Sequence, residues 1–214
     1  MPVLPHSISP NDGEIFKPKL LLVEGKDEIS FFRSFLSKHK MDNDVQIIDV
    51  GGVEKFKTEL PALINRTGFS DLVESIALVR DADANFDGAF QSACDVIKKN
   101  GFVGPKTANT FSCEGEVSFG IFIMPGNPED GTMLEDLCLK TKNEDPVMNC
   151  VNQFFECVGS NTSEFPRNLS KAKVQVYLAT KPKIVNSLGL GAQKHYWDLE
   201  HDSLLELKNF LQQL

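Results

Sequence analysis

The chain has 214 residues, which is enough for one domain with a sizeable core and short for two. Its net charge of −8 argues against a protein that holds nucleic acid by bulk electrostatics. The apolar runs are too short to span a bilayer and no signal peptide is evident, so we expect a cytoplasmic protein without a membrane partner. The five cysteines form an odd set without a Cys-x-x-Cys pair, which indicates neither a disulfide framework nor a zinc knuckle.

The first predicted unit is a strand, a tight turn and a helix. After a loosely packed lead-in over residues 1–18, a buried apolar run follows Lys19 and ends on Glu24 and Gly25. Open α/β sheets bind ligands at the carboxyl ends of their strands, so Glu24 is placed at a functional edge. Gly25 allows a sharp turn or the close approach of a ligand. Glu28 falls in the first helical turn, where we expect it only to complement the helix dipole.

The second unit repeats this pattern. A strand over residues 45–50 leads through Gly51 and Gly52 into a helix over residues 53–64. A Gly-Gly turn before a helix can bind phosphate through its N–H groups, although a plain strand-to-helix turn is the preferred interpretation. No P-loop motif and no Gly-x-Gly-x-x-Gly motif occurs, which argues against the common nucleotide-binding folds.

The third unit carries the most informative residues. The apolar run over residues 76–79 passes through Arg80 into Asp81 and Asp83. If the strand continues through Asp83, the two aspartates share a face with their Cα atoms about 6.5 Å apart. Carboxylates held that close repel one another unless a cation such as Mg²⁺ or Mn²⁺ lies between them. The alternative is that Asp83 or Asn85 caps the next helix while the other acids are solvated.

The fourth unit brings a second group of acids to the same edge. We expect a polar connector over residues 101–115, a strand over 117–124 and a helix over 132–139. Glu135 and Asp136 lie in the first turns of this helix, where they either join the edge or serve the helix terminus. The four units together predict an α/β fold with a Rossmann-like, mainly parallel sheet of about four strands flanked by helices.

Residues 141–214 are predicted to be a helical extension packed on this core. Three amphipathic helices are expected at residues 144–158, 166–179 and 204–214. A glycine-rich turn over residues 188–197 leads to Trp197, which we interpret as a packing anchor.

One part of this extension is basic, although the protein as a whole is acidic. The segment from Arg167 to His195 holds six Lys or Arg residues and no Asp or Glu. It could meet phosphate, whereas each lysine taken singly fits a solvated helix face.

The order of these motifs identifies a family resemblance. Glu24-Gly25 after the first strand and Asp81-x-Asp83 after the third resemble the Toprim domain of topoisomerases, primases and related nucleases. The resemblance covers residues 19–140. It implies a Toprim-like sheet and a Mg²⁺ or Mn²⁺ site that acts on nucleic acid.

The resemblance also implies roles for individual residues. Glu24 would act as general acid and base or as a metal ligand, while Asp81 and Asp83 would bind Mg²⁺. In the nuclease branch a later acid helps to hold a second metal, and in some members a lysine supports the transition state. The candidates are Glu135 or Asp136 for the acid and Lys171 or Lys173 for the lysine.

These observations favour phosphodiester hydrolysis over topoisomerase chemistry. The only tyrosines, Tyr177 and Tyr196, lie far from the core motifs. A receiver-type switch would need two adjacent acids after the first strand, and a haloacid-dehalogenase-like phosphatase would carry Asp-x-Asp there. The remaining alternative is a catalytically silent metal-binding module for nucleic acid or a protein partner. Whether DNA or RNA is bound, and the oligomeric state, stay open.

Overall fold

A five-stranded sheet forms the centre of the computed structural model, which describes residues 13–214. The strands are β1 (Lys19–Val23), β2 (Val45–Asp49), β3 (Ser75–Asp81), β4 (Thr110–Phe111) and β5 (Ser118–Met124). Their spatial order is β2-β1-β3-β5-β4, with β4 antiparallel to β5 and every other pair parallel. The predicted α/β class and mainly parallel sheet are therefore confirmed.

Nine α-helices lie within the described range. They are α1 (Lys26–Lys38), α2 (Val53–Ile64), α3 (Phe69–Leu72), α4 (Phe86–Lys99), α5 (Leu134–Lys140), α6 (Val147–Asn161), α7 (Leu169–Ala179), α8 (Leu188–Gln193) and α9 (Leu205–Leu211). Short 3-10 turns cover Pro128–Asp130 and Asp202–Leu204. None of the helices in residues 13–214 has the length and apolar content needed to cross a membrane.

The sheet separates two hydrophobic cores because successive strand residues point to opposite faces. On β1, Leu21 and Val23 face a core built with α1 and with α5 to α9, whereas Leu20 and Leu22 face a core built with α2, α3 and α4. Parallel strands buried on both faces are continuously apolar, as β1 and β3 are. Residues 141–214 thus contribute to one of the two cores.

Hydrogen bonds between α8 and α1 hold the C-terminal region against the first strand-turn-helix unit. The carboxylate of Asp27 accepts hydrogen bonds from the N–H groups of Leu188, at 3.1 Å, and Gly189, at 2.6 Å. A Cβ atom on Gly189 would overlap Asp27 and Ser30. The close approach of the two helices therefore requires glycine at this position.

Trp197 is a packing anchor, as predicted. Its ring is buried and stacks on Tyr177 with the ring centroids 5.2 Å apart. Its Nε1–H donates to the carbonyl of Leu188 at 2.9 Å. The buried indole thereby satisfies its only donor.

Two sequence expectations about irregular regions were wrong, and a third falls mostly outside the described residues. Residues 1–12 of the expected lead-in lie outside the described residues, but Ile15 is only 2% exposed and donates its N–H to Thr67. The polar connector contains β4, which Asn109 joins to β5 by accepting from the N–H of Ile123. The glycine-rich turn contains α8, whose cap, Ser187, accepts from the N–H of Leu190. Both elements are too short to give a periodic signal in the sequence.

Helix ends also differ from the predicted bounds. Helix α5 begins at Leu134 and not at residue 132, and α6 runs from Val147 to Asn161. Helix α7 begins at Leu169, because the preceding Asn168 caps it by accepting from the N–H of Lys171 at 2.9 Å.

Candidate active site at the carboxyl edge of the sheet

Four acidic side chains from four elements meet at the carboxyl edge of the sheet. Glu24 directly follows β1, and Asp81 is the last residue of the neighbouring strand β3. Glu28 lies in the first turn of α1, and Glu135 in the first turn of α5. We call Glu24, Glu28, Asp81 and Glu135 the acidic cluster. The sequence prediction that Glu24, Asp81 and Glu135 converge agrees with this placement.

A cavity of about 10 Å³ lies beside three of these side chains, those of Glu24, Glu28 and Asp81. Its polar lining comes from Glu24, Glu28, Arg80 and Asp81, and its apolar lining from Phe32, Val79, Met124 and Leu134. A space of this size accommodates roughly one water molecule. Three carboxylates of the cluster therefore line a space that holds about one water molecule.

Burial and mutual repulsion raise the pKa values of the whole acidic cluster. Burial raises the pKa of Glu24 to about 7, against the opposing effect of Arg80. Burial, with added repulsion from Glu135, Glu24 and Glu28, raises the pKa of Asp81 to about 8. Burial also raises the pKa of Glu28 and that of Glu135. The cluster thus favours protons or cations that offset its negative charge.

A hydrogen bond joins the end of β3 to the start of α5. The N–H of Leu134 donates to Oδ1 of Asp81 at 3.0 Å. This bond lowers the pKa of Asp81, although less than burial raises it. It fixes the Asp81 carboxylate beside the helix that carries Glu135.

Arg80 supplies a buried cation next to the acidic cluster. Its side chain is 8% exposed, and Nη1 donates to the carbonyl of Ala89 at 3.3 Å. Nε lies 3.7 Å from Oε1 of Glu24. Within residues 13–214 neither of these two buried atoms has a hydrogen-bond partner.

Lys171 is the second cation of the site, and the structure separates it from Lys173. The Nζ atom of Lys171 lies 3.9 Å from Oε1 of Glu135. Residues two apart on a helix point in different directions, so Lys173 faces away from Glu135. Of the two lysines predicted from the sequence, the structure brings Lys171 to the cluster.

The expected strand geometry of Asp81 and Asp83 was wrong. Strand β3 ends at Asp81, because the next two N–H groups, of Ala82 and Asp83, donate to the carbonyl of Thr132. Asp83 adopts a φ of +51° and its side chain is exposed. Its charge still raises the pKa of Glu24, which places it at the rim of the cluster.

Asp136 serves mainly the start of α5. Its Oδ2 accepts from the N–H groups of Thr132, at 2.7 Å, and Met133, at 3.2 Å, and its Oδ1 accepts from the hydroxyl of Ser170. Three hydrogen bonds therefore occupy this carboxylate. The helix-terminus interpretation describes Asp136, whereas Glu135 points to the cluster.

The predicted glycine positions differ in their surroundings. Gly25 is extended, and a Cβ atom there would lie 3.1 Å from Oε2 of Glu28, so glycine leaves room beside that carboxylate. Gly51 and Gly52 have φ values of +68° and +92°, which favour glycine in the turn after β2. The N–H of Gly51 donates to the side chain of Asp49, and phosphate binding at this turn stays a prediction.

The donor atoms of the cluster fit Mg²⁺ or Mn²⁺ by chemistry. All are carboxylate oxygens, which these ions prefer, and Oε1 of Glu24 is buried with no hydrogen-bond donor among the described residues. Within residues 13–214, no group of three or more His, Cys, Asp or Glu side chains is arranged to hold an ion as it stands. The predicted binding of Mg²⁺ or Mn²⁺ therefore stays a prediction.

Sequence reasoning missed the contribution of Glu28. It follows Glu24 by four residues, across a glycine that begins a helix, and this spacing was the available signal. The helix-dipole role assigned to Glu28 is incomplete, because it also lines the cavity and raises the pKa of Asp81.

Fold and site define an α/β protein with a mainly parallel sheet and a buried acidic cluster at its carboxyl edge. The chain belongs to the family described as protein of unknown function DUF3226, whose model matches residues 18–214. A comparison with curated proteins gave no match. A comparison with solved structures gave none either.

Proposed function

We propose that this protein is a Mg²⁺- or Mn²⁺-dependent hydrolase that cleaves phosphodiester bonds in nucleic acid, with a Toprim-like core. The observation that carries the proposal is the convergence of Glu24, Glu28, Asp81 and Glu135 beside two cations. The proposal places the protein in the cytoplasm, where its cysteines, all free, stay reduced.

Glu24 is the residue proposed to transfer the proton. A pKa of about 7 means that it can both accept and give a proton near neutral pH. Arg80 lies against one of its oxygens and favours the ionised form. Proton transfer by a positioned carboxylate typically increases a reaction rate about 10²- to 10⁴-fold, and we expect Glu24 to increase the rate by this factor.

Asp81 and Glu135 are the residues that would hold the divalent ion, with Glu24 beside them as the proton-transfer residue and Asp83 at the exposed rim. A bound ion in this role polarises the phosphoryl oxygens and activates water. The chain itself supplies the negative charge that attracts the ion, because burial and repulsion make the uncompensated carboxylates costly.

Lys171 is proposed to contact the phosphate of the substrate. Its side chain is 58% exposed, and it reaches Glu135 from the solvent side of the cluster. An exposed ammonium group beside a carboxylate site can approach an anionic oxygen without being desolvated beforehand.

The test is metal-dependent cleavage of single-stranded and double-stranded DNA and RNA by purified protein. We expect cleavage with Mg²⁺ or Mn²⁺ and none with EDTA. Glu24→Gln and Asp81→Asn should each lower the rate at least about 100-fold. The matched control is Asp95→Asn, because Asp95 is an exposed acid on α4 that bonds only to Gln91.

A second candidate, which the residues alone leave open, is a catalytically silent module that binds metal and nucleic acid or a protein partner. Calorimetric titration with Mn²⁺ separates the two candidates. Ion binding that Asp81→Asn abolishes, without cleavage of any of the four substrates, would replace the hydrolase by the module.

A further inference from the structure

We propose that four exposed residues, Phe154, Phe165, Arg167 and Lys171, bind a single strand of nucleic acid and lead it to the acidic cluster. This proposal rests on the proposed function, for which it names the form of the substrate. We call these four residues the strand-binding surface.

The start of α7 attaches this surface to the acidic edge. The amide of Asn168 donates to Sδ of Met133 at 3.1 Å, and the hydroxyl of Ser170 donates to Asp136. One residue further on, Lys171 reaches Glu135. Both α5 and the acidic edge are therefore in contact with the first turn of α7.

Phe165 lies a short distance before these contacts. Lys171 follows it by six positions, so their Cα atoms are at most about 20 Å apart. Arg167, which is exposed, lies between them in the sequence. The distance from this aromatic ring to the lysine at the cluster thus corresponds to only a few nucleotides.

Two aromatic rings of this surface face solvent. Phe154 and Phe165 are 49% and 44% exposed, respectively, and both make edge contacts with the buried Phe155, at centroid distances of 5.1 and 6.1 Å. A ring held against a buried neighbour loses little further freedom when a base stacks on it. Stacking of bases on exposed aromatic side chains is how proteins bind single strands without sequence preference.

The charge of the adjoining segment complements phosphate. Between residues 167 and 195 the chain has six cations and no acid. Ion pairs with other described residues occupy only Lys171 and Lys181. The remaining cations of the segment form no ion pair within residues 13–214: Arg167, Lys173, Lys183 and Lys194.

A single strand fits these features better than a duplex. In a duplex the base faces are stacked on one another and are not available to Phe154 or Phe165. The net charge of −8 also removes the broad positive field that non-specific duplex binding requires. Local cations combined with exposed rings are the arrangement expected for an unpaired strand.

The test is fluorescence anisotropy with labelled oligonucleotides of about 12 residues, as single-stranded DNA, single-stranded RNA and duplex DNA, in EDTA to prevent cleavage. Wild-type protein should bind a single strand at least tenfold more tightly than the duplex. Phe154→Ala and Phe165→Ala should each weaken single-strand binding about tenfold. The DNA and RNA arms identify which strand is preferred.

Phe16→Ala is the matched aromatic control, because Phe16 is 48% exposed and lies beside the edge strand β2. Arg167→Ala should weaken binding and reduce the slope of log affinity against log salt by about one, whereas Arg33→Ala, at an exposed arginine of α1, should leave the slope unchanged.

Equal affinity of Phe165→Ala and wild-type protein, tighter binding of the duplex, or no oligonucleotide binding at all would each overturn the proposal. These readouts are independent of catalysis. Suppose that Glu24→Gln abolishes cleavage, whereas Phe154→Ala and Phe165→Ala cleave at the wild-type rate. That result would support the proposed hydrolase and contradict only the proposed strand-binding surface.

Discussion

The guanidinium Nε of Arg80 lies 3.7 Å from Oε1 of Glu24, and in residues 13–214 neither atom has a hydrogen-bond partner. The two groups are close enough to attract one another but too far apart to share a proton. Each of the two atoms can still form a hydrogen bond, and both residues line the small cavity. Of the neighbouring charges, that of Arg80 therefore has the largest effect on the pKa of Glu24.

Replacing Arg80 tests this relationship. Because Arg80 lowers the pKa of Glu24, Arg80→Met should raise it above about 7. The measurement is a carbon-13 NMR titration of the Glu24 carboxyl group in EDTA. Arg33→Met, which removes an exposed arginine from α1, is the control and should leave the titration unchanged. An unaltered Glu24 pKa in Arg80→Met would show that the two charges are not coupled.

We expect the acidic cluster to make the free energy of unfolding fall as the pH rises. The pKa of Asp81 is raised from 3.8 to about 8, so the folded chain binds a proton that the unfolded chain has lost. This contribution to the free energy of unfolding is complete below about pH 4 and is lost as the pH rises through about 8. Excess Mg²⁺ should restore part of the loss.

Asp81→Asn isolates this effect, because the amide oxygen can still accept from the N–H of Leu134. In EDTA, the variant should gain about 1–3 kcal/mol relative to wild type between about pH 5 and about pH 8.5. Urea denaturation at both pH values gives the difference, with Asp95→Asn as the control. A difference between Asp81→Asn and wild type that does not change with pH would contradict the expected titration.

Lys171 and Lys173 offer a matched pair on one helix. Only Lys171 reaches Glu135, so Lys171→Ala should lower kcat/KM for cleavage about tenfold or more, whereas Lys173→Ala should change it about twofold at most. Steady-state kinetics on one substrate at constant salt provides the comparison. An equal loss of kcat/KM in the two variants would mean that cleavage depends on the net charge of the helix and not on the position of the lysine.

A single methyl group at Gly189 should disrupt the packing of α8 against α1. Gly189→Ala places a Cβ atom against Asp27 and Ser30, so we expect the free energy of unfolding to fall by about 1–3 kcal/mol. Gly13→Ala is the control, because nothing lies within 4 Å of a Cβ atom at that position. Guanidinium denaturation measures both variants, and wild-type stability in Gly189→Ala would show that the helices can separate without cost.

Sequence patterns predicted the part of the site that local rules determine. Glu24 and Asp81 each follow a buried apolar run, and the carboxyl ends of parallel strands meet at one edge. Glu28 was missed because a first-turn glutamate has an adequate local explanation in the helix dipole. Its position beside the cavity depends on how α1 packs on the sheet, which local rules do not describe.

The remaining differences arise from contacts that are distant in sequence. The carbonyl of Thr132, some fifty positions after Asp81, ends β3 by accepting from the N–H groups of Ala82 and Asp83. Likewise, Asn109 and Ser112, at the two ends of β4, bond to β5 residues seven or more positions further along the chain. A pattern read along the chain contains no information about such a partner, and so the geometry of Asp83 and the fifth strand were not predicted.

The core shared by α1, the sheet and α5 to α9 has a practical consequence for work with fragments. A recombinant piece that stopped at Lys140 would lose α6 to α9 from this core, and the apolar surface so exposed would promote its aggregation. Failure of such a piece to cut or bind would therefore report on its solubility and not on its chemistry.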